Sequence, residues 1–263
     1  MTRPAALITG ASSGIGETFA RKLATPSKLA RDGFDLILVA RRAPRLEELA
    51  RQLPVRTTIV AADLTTDTGL LAAEEAIAAC PRLDMLVNNA GFGTLGRFWQ
   101  TDLAGQQAMH RLHVLAAMRL TRAALNGMTE RQRGAIVNVS SVAAFGQSDG
   151  NVSYCATKAW MNSFTEGLAI ELRAARSPVR VQALCPGFTV TEFHDTLGMD
   201  RREIPSYLWM TSEEIVDASL RALERNKVVV IPGWKYQLAV AFMKSMPFAI
   251  RARLRRPKKE VRA

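Results

Sequence analysis

Cysteine and histidine are both scarce in this chain. Among its 263 residues there is no Cys-x-x-Cys pair, and the three cysteines are Cys80, Cys155 and Cys185. An odd, widely spaced set argues against a disulfide framework and favours a reducing, cytoplasmic compartment. The three histidines have no metal-ligand spacing with the cysteines, so the sequence predicts no metal site.

Long apolar runs are also missing. Residues 238–243 form the longest late run, which ends at Lys244 and is far shorter than the ~20 residues that a membrane span needs. The first residues lack the extended apolar region of a signal peptide. We therefore expect a soluble protein of the cytoplasm.

Acidic residues are the minority, since 24 of them face 35 lysines and arginines and leave a net charge of +11. More than half of this surplus lies in the last 13 residues, so the remainder of the chain is only mildly basic and no specific nucleic-acid partner is predicted. The cationic residues of this tail are Arg251, Arg253, Arg255, Arg256, Lys258, Lys259 and Arg262.

The basic tail is most simply a solvated chain end. Residues 234–256, however, mix aromatic and aliphatic side chains with lysines and arginines, a composition typical of an interfacial helix. The same composition suits a helix that closes a pocket or packs on another subunit. Peripheral membrane contact by the C-terminal tail is thus one of several open interpretations.

Apolar, partly β-branched runs alternate with helical patterns along the chain. Strands are predicted over residues 5–9, 35–40, 55–61, 83–88, 135–140, 179–184 and 228–231. Helices are predicted over residues 15–30, 45–52, 66–79, 102–128, 151–174 and 211–224. Apolar strands separated by helices imply a parallel sheet covered on both faces, that is, a Rossmann-like, doubly wound α/β fold of about seven strands.

No linker or repeat divides this pattern, so we predict a single domain over residues 1–233. Residues 188–210 lack a clear period, and long irregular loops in compact domains usually act as lids or binding loops. We interpret them as a substrate lid. Residues 234–263 are predicted to form a helical, basic C-terminal extension.

A glycine-rich turn, Thr9-Gly10-x-x-x-Gly14-x-Gly16, joins the first strand to the first helix. Glycines let the backbone approach a phosphate closely, and the free N–H groups at a helix start bind anions. The turn therefore predicts a dinucleotide site, although a tight turn without any ligand has the same spacing. The other residues expected to contact the cofactor here are Ser12, Ser13 and Ile15.

The second strand ends in Arg41 and Arg42, with no acidic residue. In dinucleotide folds this position contacts the adenosine ribose, where an acid binds a 2′-hydroxyl and an arginine suits a 2′-phosphate. We predict that Arg41 contacts the cofactor and that NADP(H) is preferred to NAD(H). Two solvated surface arginines are the alternative.

Tyr154 and Lys158 are four residues apart, which places them on one face of a helix. A nearby ammonium lowers the pKa of a phenol, so Tyr154 is predicted to act as the general acid/base on an alcohol or carbonyl. Ser141 ends the preceding strand, where its hydroxyl can polarise the same oxygen. No G-x-S-x-G motif surrounds this serine, so a hydrolase is not indicated.

The ordered set of the glycine turn, Asn88-Asn89-Ala90-Gly91, Ser141, Tyr154-x-x-x-Lys158 and Pro186-Gly187 resembles the short-chain dehydrogenase/reductase family over about residues 5–192. The resemblance implies that Ser141 holds the substrate oxygen, Tyr154 transfers the proton and Lys158 binds the nicotinamide ribose. It also implies that the cofactor cleft includes Asp63, Leu64, Asn89, Ala90, Gly91, Pro186, Gly187, Phe188, Thr189 and Thr191.

Two features depart from the family pattern. His113 stands where the family usually has an asparagine that anchors a water in a proton relay. An imidazole can both donate and accept hydrogen bonds, so we include His113 among the catalytic candidates, with a helix-packing histidine as the alternative. Residues 25–30 lengthen the first helical region, and Pro26 is expected to interrupt it.

These observations predict an NADP(H)-dependent oxidoreductase that reduces a carbonyl group or oxidises the corresponding secondary alcohol. The apolar side chains of the lid favour a small hydrophobic substrate. The resemblance implies a homodimer or homotetramer. The alternative from another class is a non-catalytic NAD(P)-binding sensor or scaffold that has kept the fold.

Overall fold

Seven strands form one sheet in the computed structural model, which describes residues 3–147, 149–193, 202, 204–247 and 249–250. The strands are β1 (Ala5–Thr9), β2 (Asp35–Ala40), β3 (Thr57–Ala61), β4 (Leu83–Asn88), β5 (Ala135–Val139), β6 (Arg180–Leu184) and β7 (Val229–Val230). Their order is β3-β2-β1-β4-β5-β6-β7, and every neighbouring pair is parallel. The predicted Rossmann-like sheet is confirmed.

Helices connect the strands. They are α1 (Gly14–Leu23), α2 (Ala43–Gln52), α3 (Asp67–Ala78), α4 (Leu103–His110), α5 (Ala117–Glu130), α6 (Val152–Ala174), α7 (Ser212–Glu224) and α8 (Trp234–Ser245). A π-helical segment, Arg111–Ala116, joins α4 to α5, so the single helix predicted over residues 102–128 contains a local change of helical winding.

Helices cover both faces of the sheet. On one face, Phe19 of α1, Leu46 of α2 and Ile215 of α7 pack in one buried cluster with β1 and β2. On the other, Leu70 of α3 and Leu120 of α5 belong to a second cluster. Because each central strand is buried from both sides, its sequence is mostly apolar instead of alternating, which made the strands recognisable.

The predicted helix over residues 15–30 is wrong in its second half. Helix α1 ends at Leu23, before Pro26, because proline cannot donate the helical hydrogen bond. Residues 27–30 close a turn in which the Ser27 N–H donates to the Ala30 carbonyl at 2.9 Å. Gly33 then reverses the chain with a φ of +75° before β2.

The lid region begins beside the sheet. Thr189 forms an isolated parallel bridge with Met210, and Ser206–Leu208 form a 3₁₀ turn. The remaining predicted lid residues 194–201 and 203, and the basic tail 251–263, lie outside the described residues. Within the part of the chain that the structure describes, no helix is both long enough and apolar enough to span a bilayer.

Candidate active site

The predicted motifs meet at the carboxyl edge of the sheet. The glycine turn follows β1, residues 89–91 follow β4, Ser141 follows β5 and residues 186–191 follow β6. In an open parallel sheet this edge, where the strand order changes direction beside β1, is the usual ligand site. The topology therefore assembles segments that lie far apart in the sequence.

Three glycines allow the close turn between β1 and α1. Gly10 and Gly14 have φ values of +66° and +55°, a region that other residues rarely adopt. At Gly16 an added Cβ would lie 2.3 Å from the Gly10 carbonyl oxygen. The turn thus brings its own backbone into contact, which explains the spacing of the three glycines.

The start of α1 offers donors to an anion. Ser13, at the N-cap, has an extended backbone and its side chain makes no capping hydrogen bond, whereas Thr66 and Thr211 cap α3 and α7. The hydroxyls of Ser12 and Ser13 accept hydrogen bonds from Arg42 at 3.1 and 3.0 Å. Helix N–H groups, hydroxyls and a guanidinium fit the phosphates of a dinucleotide cofactor.

Thr9 links the glycine turn to residues 89–92, which follow β4 and are called the cofactor loop. Its hydroxyl accepts the N–H groups of Asn89 and Ala90, both at 2.9 Å. The Asn89 amide in turn donates to the carbonyls of Thr9 and Gly10 at 2.9 and 3.3 Å. The predicted cofactor residues Gly10, Asn89 and Ala90 are therefore held together by direct hydrogen bonds.

Arg42, and not Arg41, reaches the glycine turn. Arg41 is exposed at the end of β2, whereas the guanidinium of Arg42 lies between the two serines and Glu192. Glu192 accepts from Arg42 at 2.9 Å and from Arg45 at 2.5 Å, and these bonds lower the pKa of its carboxyl. The pairing of Arg45 with Glu192 could not be predicted from the sequence, because 147 positions separate the two residues.

Asp63 and Leu64 follow β3 near the same arginines. Burial alone would raise the pKa of Asp63, but the Thr65 N–H and hydroxyl, at 2.9 and 2.7 Å from its Oδ1, lower it together with the charge of Arg41. Leu64 is buried in the core beneath. The Asp63 carboxylate is thus ionised and fixed at the adenosine end of the cleft that the resemblance implies.

Ser141, Tyr154 and Lys158 converge as predicted from their spacing. The Ser141 hydroxyl acts on the Tyr154 phenol and opposes the rise of its pKa that burial causes. The Lys158 Nζ lies 5.7 Å from the centre of the Tyr154 ring and donates to the Val139 carbonyl at 2.8 Å. Since an ammonium has three donors, it can also serve the hydroxyls of a ribose.

The pKa of Tyr154 is shifted upward, opposite to the lowering that its spacing from Lys158 predicts. Burial raises the pKa of Tyr154 to about 12, although the Ser141 hydroxyl acts in the opposite direction. Burial also lowers the pKa of Lys158 to about 8. The ammonium donates to the Val139 carbonyl, and burial is the largest effect on the Tyr154 pKa.

His113 is fully buried on the π-helical segment. Its Nε2 is 3.2 Å from the Phe92 N–H, and its Nδ1 is 2.9 Å from the Thr157 hydroxyl. The ring meets that of Tyr154 edge-on, with centroids 5.8 Å apart. Both ring nitrogens thus contact the protein, and Thr157 is a site residue that the sequence did not single out.

Residues 186–191 are fixed by α8. At Gly187 an added Cβ would lie 2.0 Å from the Tyr236 ring, and the Tyr236 hydroxyl accepts from the Phe188 N–H at 2.9 Å and donates to the Leu208 carbonyl at 2.5 Å. The side chain of Thr191 covers Gly14 of the glycine turn. Tyr236 therefore couples the C-terminal helix to the predicted cofactor segment, and its role was not visible in the sequence.

Aromatic rings pack against Tyr154 and His113 and occur in the segments that follow β4 and β6. The Phe193 ring lies 5.8 Å from that of Tyr154, and Phe188 and Trp209 pair at 5.6 Å. Phe92 approaches from the cofactor loop, 6.2 Å from His113. The surroundings of the reacting groups are thus largely apolar, which is consistent with the burial that shifts their pKa values.

Known proteins share both the sequence and the structure. The family model described as short chain dehydrogenase matches residues 4–202. The NADP-dependent 3-hydroxy acid dehydrogenase of Schizosaccharomyces pombe is 33% identical over 237 residues, covering 86% of this chain and 88% of that protein.

Two solved structures are similar over almost the whole chain. A short-chain dehydrogenase from Sphingobium yanoikuyae in complex with NADPH is 34% identical, with a TM-score of 0.81 and coverage of 99% and 98%. The bulky-bulky ketone specific alcohol dehydrogenase from Comamonas testosteroni is 31% identical, with a TM-score of 0.76 and coverage of 95% and 97%. This chain belongs to the short-chain dehydrogenase/reductase family of NAD(P)-dependent oxidoreductases acting on CH–OH groups.

Proposed function

We propose that this protein is an NADP(H)-dependent reductase of hydrophobic carbonyl compounds, able in the reverse direction to oxidise the corresponding secondary alcohols. The observation that carries the proposal is the convergence of Ser141 and the buried Lys158 on Tyr154, where the Ser141 hydroxyl opposes the rise of the pKa that burial causes and the ring centre lies 5.7 Å from the Lys158 Nζ. A paired serine and tyrosine at one point of an apolar cleft can bind and protonate a single oxygen atom.

Each side chain has a distinct task in this mechanism. A bound NADPH supplies the hydride. The Ser141 hydroxyl holds the carbonyl oxygen, and Tyr154, protonated at neutral pH because burial raises its pKa to about 12, donates a proton to that oxygen as negative charge develops. Lys158 supplies a positive charge beneath the ring and donors for a ribose. A protonated phenol favours the reducing direction at neutral pH.

The arginines at the end of β2 support the preference for NADP(H). Arg42 contacts the phosphate-binding turn directly, Arg45 shares Glu192 with it, and Arg41 is exposed beside them. Three cations beside the end of β2, a strand whose end carries no acid of its own, suit a 2′-phosphate better than a 2′-hydroxyl. The relatives from Sphingobium yanoikuyae, in complex with NADPH, and from Schizosaccharomyces pombe, named NADP-dependent, are consistent with this preference.

The aromatic surroundings of Tyr154 support a hydrophobic substrate, and the Comamonas testosteroni relative is described as specific for bulky ketones. We expect NADPH oxidation with aryl and alicyclic ketones, and kcat/KM that rises with substrate size, because each buried methylene contributes about 0.8 kcal/mol. A spectrophotometric assay at 340 nm over a graded ketone panel, with NADPH in excess, measures this.

The same assay separates the enzyme from a sensor. A non-catalytic protein would bind NADPH, as followed by quenching of tryptophan fluorescence, yet leave the whole ketone and aldehyde panel unreduced. That combination would contradict the proposed activity while leaving the fold and cofactor site intact. Acetone serves as the matched small substrate, and equal kcat/KM for acetone and aryl ketones would contradict the hydrophobic specificity.

We also propose that the protein self-associates through α4 and α6. Phe98, Leu103 and Val152 are each more than half exposed and line an open depression of about 590 Å³ between these helices. Val152 and Ile170 lie on the same face of α6, about five turns apart, and Ile170 is 70% exposed. This face is opposite Tyr154, so the depression is an unpartnered surface and not the substrate cleft.

Val152→Glu and Ile170→Glu are each expected to shift the protein to the monomer, because a charge in an apolar contact costs more than its burial gains. Size-exclusion chromatography with light scattering gives the mass. Leu71→Glu, which changes an equally exposed leucine on α3, is the control and should leave the mass unchanged. A wild-type protein that is monomeric at micromolar concentration would contradict this association.

The outer face of α8 supports contact with a membrane surface. Trp234, Leu238 and Phe242 follow each other at intervals of four residues and are 62–66% exposed, with Lys235 and Lys244 nearby. The seven cationic residues of the tail 251–263, which lies outside the described residues, come next in the sequence. An apolar stripe followed by a basic segment suits the headgroup region of an anionic bilayer.

We expect the full chain to float with vesicles that contain one-third phosphatidylserine, and to lose most of this binding at 0.5 M NaCl or on deletion of residues 251–263. Trp234→Ser with Phe242→Ser should weaken binding further, since apolar and electrostatic terms add. Flotation on a sucrose gradient measures the bound fraction. Equal binding to purely phosphatidylcholine vesicles would contradict an electrostatic contribution from the tail.

A further inference from the structure

From the sequence, His113 is interpreted either as a member of a proton relay or as a histidine that packs the helix. We propose instead that His113 is a positioning residue, a neutral hydrogen-bond clamp that fixes the cofactor loop after β4 to the catalytic helix α6. The inference deepens the proposed function, on which its kinetic part rests. Three hydrogen bonds, one steric contact and the π-helical segment carry it.

The three hydrogen bonds join Phe92 to His113, His113 to Thr157 and Thr157 to the Tyr154 carbonyl, and the Phe92 N–H, which can only donate, sets their directions. The Phe92 backbone N–H can only donate, so His113 Nε2 must accept with its lone pair. In a neutral ring the proton is then on Nδ1, which donates to the Thr157 hydroxyl oxygen at 2.9 Å. The Thr157 hydroxyl donates in turn to the Tyr154 carbonyl at 2.9 Å. This series of hydrogen bonds therefore connects the cofactor loop to the backbone of Tyr154.

A second proton has no place in this arrangement. Protonation of Nε2 would direct its N–H at the Phe92 N–H, 3.2 Å away, so the contact with the loop would be lost. The titratable groups that act electrostatically on the ring are Lys158 of α6 and His110 of α4, while Tyr154 presents only the edge of a neutral phenol. Burial and these cations hold the pKa of His113 well below its usual range.

The loop is packed directly onto the imidazole. At Gly91 an added Cβ would lie 2.8 Å from His113 Nε2, so the ring needs a glycine at that position of the cofactor loop. The π-helical winding of Arg111–Ala116 carries the residue at 113, and such segments often place side chains at functional sites. The clamp thus sets the distance between residues 89–92 and Tyr154, the two sides between which a nicotinamide must fit.

Histidine NMR tests the clamp without any substrate. The chain has only three histidines, so imidazole ¹⁵N spectra of the full-length protein can be assigned with His110→Gln and His113→Gln. We expect His113 to remain neutral and protonated at Nδ1 from pH 5.5 to 9. An imidazolium signal with a midpoint in that range, or a neutral ring protonated at Nε2, would overturn the proposal.

Kinetics test the positioning role. Thr157→Val removes the hydroxyl and is expected to lower kcat about 10- to 100-fold, because small displacements of reacting groups cost this much. Thr157→Ser keeps the hydroxyl and should restore most of the rate. Neither variant should move the pH profile, since no proton passes through the ring; a shifted profile in Thr157→Val would contradict the clamp.

The outcomes keep this inference apart from the proposed function. If the protein reduces no carbonyl but His113 keeps its Nδ1 proton, the activity is wrong and the clamp stands as a structural feature. If reduction occurs and His113 titrates, the activity stands and the clamp is wrong. Thr157→Ser is the matched control for the kinetics, and His110→Gln serves to assign the spectra.

Discussion

Tyr154→Phe is expected to reduce kcat/KM for carbonyl reduction about 10²- to 10⁴-fold, the usual loss when a general acid is removed. The variant keeps the ring that packs against His113 and Phe193 and removes only the hydroxyl on which Ser141 acts. Steady-state rates of NADPH oxidation measure the loss. Thermal unfolding and the Kd for NADPH should stay close to wild type, which separates lost chemistry from lost structure.

The pH dependence provides a second readout of the same group. Tyr154, with a pKa raised to about 12, stays protonated throughout the working range, whereas Lys158, with a pKa lowered to about 8, loses its charge as pH rises. The kcat/KM for reduction in wild type should therefore be level below about pH 8 and fall above it. Lys158→Met should be slow at every pH and lack this decline.

Two results would contradict this account. A Tyr154→Phe protein that reduces ketones at the wild-type rate would remove the tyrosine from the mechanism. A wild-type profile that stays level up to pH 10 would show that the charge of Lys158 is not needed. Ser141→Ala provides an intermediate case, because it removes a donor to the substrate oxygen while leaving the phenol in place.

The sheet could be predicted from the sequence because burial on both faces leaves a direct pattern. All five residues of β1 and all six of β4 are buried, so apolar residues fill most positions of both strands without alternating with polar ones. Helix ends were less certain. The predicted first helix extended past Leu23 because residues 24–30 have no strong stop signal except Pro26, and the turn that ends it depends on bonds to Ala30 and Gly33.

Three features of the site were not predicted because they depend on tertiary contacts: the contacts of Arg42, the direction of the Tyr154 pKa shift and the helical winding around His113. Nothing in two adjacent arginines indicates that Arg42 turns toward Ser13 while Arg41 stays exposed. The sign of the Tyr154 pKa shift depended on whether burial or the ammonium has the larger effect, which only distances decide. The winding around His113 likewise follows from its bonds to Phe92 and Thr157.

Arg42→Gln is expected to weaken NADPH binding by about 1.5–3 kcal/mol, the contribution of a charge-assisted hydrogen bond, or roughly 10- to 150-fold in Kd. The Arg42 guanidinium donates hydrogen bonds to the hydroxyls of Ser12 and Ser13 in the glycine turn. NADH lacks the 2′-phosphate, so its Kd should change less. Isothermal titration of both cofactors with wild type and variant gives the ratio, and Arg41→Gln shows whether the exposed arginine shares the phosphate.

Glu192→Gln is the matched control, because it removes the carboxylate that holds the same guanidinium. Glu192 accepts from both Arg42 and Arg45 in the structure, so a phosphate must compete with it for these cations. The variant is expected to bind NADPH more tightly, and the gain should shrink at high salt because the partners are exposed. If Arg42→Gln instead weakens the binding of NADPH and NADH equally, Arg42 contacts the phosphates that both cofactors share. The preference for NADP(H) would then depend on Arg41 or Arg45.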